Sequence, residues 1–133
     1  MASSLRLLAV MLLIMCAAFL ASASTSATDD PSTVAARLLD HMEAGRFAEA
    51  TSGFDDKMKA ALDAEKLEQV QHQLEGAGMV QRRGPARLSK VFRTSVVTIR
   101  IVREAATLDA VVAIDTEGRV AGLHFLPEAE PES

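Results

Sequence analysis

Apolar positions follow three different rhythms along this chain, and each rhythm predicts a different structure. From Leu7 to Leu20 every residue is apolar, with Arg6 the only charged side chain before Asp29. That 14-residue run falls short of the roughly 20 residues a membrane-spanning helix needs. It ends in Ala21-Ser22-Ala23, the small-x-small pattern of a signal-peptidase site. Residues 1–23 therefore read as a cleavable signal peptide, followed by a flexible mature N-terminus over 24–32. Two alternatives are an uncleaved anchor and lipidation at Cys16. A lipoprotein signal wants a small residue before the cysteine and polar sequence after it, whereas Met15 precedes Cys16 and Ala17-Ala18-Phe19-Leu20 follows.

The second rhythm is helical. Asp30-Pro31 makes a good start, with Asp as N-cap and Pro at the first helical position. Val34, Leu38, Leu39 and Met42 then form one stripe, and Gly45 stops the helix. A short second helix over 46–52 carries Phe47 and Ala50 inward and breaks at Gly53. A third begins near Asp55, with Met58, Ala61 and Leu62 expected to face inward. Asp63 caps a fourth, over 64–76, packed through Leu67, Val70 and Leu74.

After Gly78 the period changes to two, the signature of strands. Segments 79–83 and 86–91 meet at Gly84-Pro85, which predicts a bulge or a sheet edge because proline has no ladder donor. Val97, Ile99 and Ile101 alternate with Thr98 and Arg100, and Leu108, Ala110, Val112 and Ile114 alternate with Asp109. A tight turn at Glu104-Ala105 pairs Ile101 with Leu108 and Ile99 with Ala110. Asp115-Thr116-Glu117-Gly118 reads as a hairpin turn with a three-residue loop. Pairing Asp115 with Arg119 then puts Val120, Gly122, His124 and Leu126 on the inner face. Ala121, Leu123 and Phe125 fall on the other, which offers a homodimer contact through the sheet; a one-residue change in this loop exchanges the two sets. Pro127 ends the strand before a disordered acidic tail, 128–133. The expected architecture is α+β, one domain over 33–127, with three to four helices packed on a curved antiparallel meander.

Charge sharpens this picture. Residues 24–78 carry net −6, residues 79–103 net +7 with no acid, and residues 104–133 net −6. The acidic total argues against nucleic acid as a partner. The basic block is concentrated in Arg82, Arg83, Arg87, Lys90 and Arg93, a candidate surface for an acidic partner or an anionic envelope polymer. Removing residues 1–23 removes Cys16, the one cysteine, so the mature chain holds itself together without disulfides and is neither a thiol enzyme nor a cysteine-ligated zinc protein.

Several stretches resemble one known family in order and spacing. Gly45-Arg46-Phe47 looks like its Gly-x-Phe turn, and Phe54-Asp55-Asp56-Lys57-Met58-Lys59-Ala60-Ala61-Leu62 like its Phe-Asp-x-x-Met-Lys-x-x-Leu stretch. Leu67, Leu74 and Gly78 are similar to its fourth-helix pattern. Gly118-Arg119-Val120-Ala121-Gly122-Leu123 looks like its closing strand. The family is domain of unknown function 3887, in the nuclear transport factor 2-like (cystatin-like cone) superfamily, and the resemblance covers about residues 34–127. Gln71 stands where members often carry a tryptophan. The resemblance implies a cone-shaped cavity between helices and sheet, export in bacteria, and association with hydrolase domains. It implies no catalytic residues.

Candidate chemistry is sparse. His124, if it faces the cavity, is the one candidate general base. Asp109 alternates with apolar neighbours and is expected to point outward. His41 and His72 lack a second ligand at helical metal-site spacing. No tyrosine is present for steroid-isomerase-like oxyanion stabilisation. Gly76-Ala77-Gly78 lacks the lysine and hydroxyl of a phosphate loop, and no Gly-x-Ser-x-Gly occurs. The expectation is an exported, periplasmic or extracellular, non-enzymatic module without cofactor or metal. It would hold a small apolar ligand or a protein partner in its cavity or on its sheet face. The alternatives are a small acid–base enzyme and an auxiliary domain of a secreted hydrolase.

Overall fold

The structure, a computed structural model, describes residues 29–127. The proposed signal peptide, Cys16 and the acidic tail lie outside the described residues. Four helices come first: α1 (Pro31–Glu43), α2 (Phe47–Ser52), α3 (Asp56–Ala61) and α4 (Ala64–Glu75). Five strands follow: β1 (Val80–Arg83), β2 (Arg87–Val91), β3 (Thr94–Arg103), β4 (Thr107–Ile114) and β5 (Val120–Pro127). The fold class is α+β. No helix among the described residues is long and apolar enough to cross a membrane.

The helix ends follow local chemistry. Proline opens α1 as predicted, although the Asp30 side chain makes no capping hydrogen bond. Pro31 and Ser32, assigned to the flexible leader, are helical. Asp55 and Asp63 do cap: their carboxylates accept from Met58 N at 2.8 Å and Lys66 N at 2.9 Å. Ala35, Leu38, Leu39 and Met42 of α1 and Leu67 of α4 are buried. Ala61 is exposed, while Met58 and Leu62 pack against the core from the side.

β3 is the spine of the sheet. Its residues alternate between half-buried and buried without a break from Thr94 to Arg103. β4 pairs along one edge in the predicted register, with Ile101 opposite Leu108 and Ile99 opposite Ala110. The other edge is shared: β2 pairs with Thr94–Thr98 and β1 with Ile101–Arg103. Gly84, between them, donates to Arg100 O at 2.7 Å, and a Cβ there would stand 3.3 Å from Arg100 Cβ. Gly84-Pro85 is thus a corner on a sheet edge.

β5 departs from the predicted register. The three-residue loop forms as expected: Asp115 N donates to Arg119 O, and the Asp115 carboxylate accepts from Glu117 N and Arg119 N. Ile114 then pairs with Val120, but Ala113 pairs with Gly122, leaving Ala121 as an extra residue. This bulge exchanges the two side-chain sets beyond Val120. Leu123 and Phe125 pack on the core, opposite Val112 and Ala110. Gly122, His124 and Leu126 take the outer face. The apolar dimer face expected from Ala121, Leu123 and Phe125 is therefore turned largely into the core.

Phe54 joins the two halves. It is 1% exposed, and its segment brackets Val120: Val120 N donates to Gly53 O, and Asp55 N to Val120 O. Removing the ring leaves a cavity between helices and sheet. Phe54→Ala is expected to cost about 3–5 kcal/mol, read as a lower urea midpoint with an unchanged slope.

Candidate functional site

The space between helices and sheet is filled. Val97, Ile99, Ile101, Ala110, Val112 and Ile114 from the sheet meet Leu38, Leu39, Met42, Phe54 and Leu67 from the helices, all buried. The space for a ligand lies at its ends.

One cavity, about 530 Å³, opens between the end of α4, β1 and the β3–β4 turn. Its wall includes Gln71, Gly78, Met79, Val80, Arg103 and Glu104. Arg103 ends β3 on the inward side of the alternation, so a guanidinium arrives where an aliphatic side chain would continue the core. It is 6% exposed. Nη1 donates to Gly78 O at 2.8 Å; Nε is shut off from water and has no hydrogen-bond partner. Arg103 forms no ion pair among the described residues. An unpaired donor on a buried cation costs stability.

A clasp holds this wall in place. Gly78 has φ +91°, and a Cβ on it would stand 2.7 Å from Glu104 Cβ, so only glycine fits. Glu104 folds over it and accepts from Met79 N at 2.7 Å. Glu104 N donates to Met79 O and Ala105 N to Ala77 O, tying the turn to the segment after α4. The nearby carboxylates are also engaged: Glu43 with Arg83, and Glu75 with Gln71 and His72. Gln71, at the position where the resembled family often has tryptophan, is 6% exposed and lines the cavity.

A second cavity, about 360 Å³, lies between α1, α2 and the β4–β5 turn. Here His41 Nδ1 stands 3.5 Å from Glu49 Oε2, with Arg37 on the same wall bound to Asp29 at 2.7 Å. His41 has no second ligand at helical spacing on α1; the carboxylate beside it comes from α2. Among the described residues no three His, Cys, Asp or Glu side chains group as metal ligands.

The predicted site residues are dispersed. His124 pairs with Val111, is exposed and faces away from the helices, because the bulge at Ala121 turns it outward. The basic block divides between faces. Arg82 lies opposite Val102 on the outer side, whereas Arg83 turns inward to Asp40 at 2.8 Å and Glu43 at 3.0 Å, tethering β1 to α1. Arg87, Lys90 and Arg93 belong to the β2–β3 hairpin. Asp109 lies on the outer face, as expected, and accepts from Arg100 Nε at 3.0 Å. Sequence reasoning missed Arg103 as a site residue; its inward parity with Val97, Ile99 and Ile101 was the signal.

Compared with protein-family profiles, curated proteins and solved structures, the chain matches none.

The Arg100–Asp109 pair makes the fold sensitive to acid. The hydrogen bond from Arg100 holds the Asp109 carboxyl below its ordinary value; burial opposes this, and the charges of Arg100 and Arg87 add to it. A depressed carboxyl favours folding above its unfolded pKa of about 3.9, and the benefit disappears as pH falls through the lower folded value. Asp109→Asn is therefore expected to be less stable than wild type at neutral pH, with the gap closing under acid. Urea midpoints across a pH series test this; a gap that stays constant contradicts it.

Proposed function

We propose that this chain is an exported, non-enzymatic binding domain whose site is the Arg103 cavity. The observation that carries the reading is the guanidinium itself: nine-tenths buried, with its Nε unsatisfied, in the wall of a cavity large enough for a small molecule. A carboxylate is the matching group, because its two oxygens accept from a guanidinium fork. Glu75, half exposed near the mouth, favours a cationic group at the ligand's other end, and Met79 and Val80 suit a short aliphatic stem between them. The ligand class is a small zwitterion with separated charges, more polar than the apolar ligand the sequence alone favours. The resemblance to the domain of unknown function 3887 family and its cone superfamily is part of this proposal. Its support is the order of four helices and an antiparallel meander.

Export rests on the sequence of residues 1–23. N-terminal sequencing of the secreted chain should find Ser24 first, and a start before about Ala21 contradicts it. The acid–base enzyme remains the second reading, favoured by the His41–Glu49 pair; it requires turnover that falls in His41→Gln and survives Arg103→Lys. The outer sheet face, with Val96, Val102, Val111 and Leu126 around Arg100 and Asp109, is the surface that would take a protein partner or a second copy.

Calorimetric titration with ε-aminocaproate, caproate and hexylamine tests the zwitterion reading. ε-Aminocaproate should bind best. Arg103→Lys, which keeps the charge but loses the fork, should weaken it about tenfold or more. Glu75→Gln should reduce its affinity to that of caproate. Equal affinities in wild type and Arg103→Lys, or no binding by any of the three, contradict the proposal.

A further inference from the structure

We infer that the β2–β3 hairpin is a docking tip for an anionic lipid bilayer, a property independent of the Arg103 cavity. Val91 pairs with Thr94, so Phe92 and Arg93 alone make the turn. Phe92 has φ +56°, the left-handed region that bulky side chains avoid, at a turn position where glycine is the residue favoured. Its ring is 98% exposed and gains no burial to offset that strain. The fold is therefore better served by glycine here, and the aromatic ring is explained by a contact outside the fold.

The surroundings identify the contact. Every residue of β2 is exposed, including the large apolar Leu88 and Val91. Lys90 and Arg93 form no ion pair among the described residues. The pairing of Leu88 with Val97 and of Lys90 with Ser95 places those two on the inner face, while Arg87, Ser89 and Val91 take the outer face. Apolar and cationic side chains thus occur on both sides of the ribbon, around an aromatic end. A rigid protein surface would meet one side and leave the other in water. A bilayer is deformable: it accepts the apolar tip among its chains from all sides and presents anionic headgroups to the cations. The attraction is local, since the chain as a whole is acidic.

The test uses the chain from Ser24 onward, which contains every described residue. Co-sedimentation with phosphatidylglycerol–phosphatidylcholine vesicles is compared with phosphatidylcholine alone and with soluble polyglutamate. Wild type should bind the anionic vesicles, less so as salt rises, and should not bind phosphatidylcholine. Phe92→Gly should lower vesicle affinity about tenfold, the loss of one buried aromatic side chain, with no fall in melting temperature. Joint Lys90→Glu and Arg93→Glu changes should abolish binding. Absence of wild-type binding, unchanged binding by Phe92→Gly, or equal binding to polyglutamate would overturn the inference.

Discussion

The alternation of β3 sends Ser95, Val97, Ile99, Ile101 and Arg103 toward the helices, and the other elements take their positions from it. β4 must match it residue for residue to bury its own apolar set, and it does. β1 and β2 divide its other edge because Gly84-Pro85 cannot continue a ladder. The helices cover the inner face through α1, α4 and Phe54. The same alternation that completes the aliphatic core at Ile101 places a charge one step later in the series, at Arg103. The proposed site is thus the core pattern carried two residues past the point where only apolar groups are needed.

That arrangement explains the neighbourhood of Gly78. A buried guanidinium must be solvated by something, and the backbone carbonyl of Gly78 meets part of the need. Glutamate folding over the glycine holds the carbonyl where it is. Arg83 shows the contrasting solution: it also turns inward, but two carboxylates of α1 receive it, and it acts as a tether. Two inward arginines on adjacent strands differ in whether the protein itself supplies the counter-charge.

Much of the fold was legible because strong patterns are local. The stripe of α1, the helix start near Asp55, the cap at Asp63, the β3–β4 register and the Asp115 turn each rest on a few residues close in sequence. The bulge at Ala121 was not legible. Both faces of β5 carry apolar residues, so the pattern gave no preference between the two registers. His124 followed the bulge outward. The Phe92–Arg93 turn also escaped, since neither residue carries a turn signature. The basic block was visible as composition, but strand parity decides which of its members share a surface, and Arg82 and Arg83 fall on opposite sides. His41 and Glu49 meet only because α1 and α2 fold back on each other.

The most direct test of the central claim observes Arg103 itself. In a proton–nitrogen correlation spectrum the Nε–H of a buried arginine gives its own resonance, assignable by its loss in Arg103→Lys. The account predicts that adding ε-aminocaproate shifts this resonance and slows its exchange with water, while the Nε–H signals of the exposed arginines stay in place. An Arg103 signal that does not move at saturating probe, or shifts confined to the exposed arginines, would contradict it.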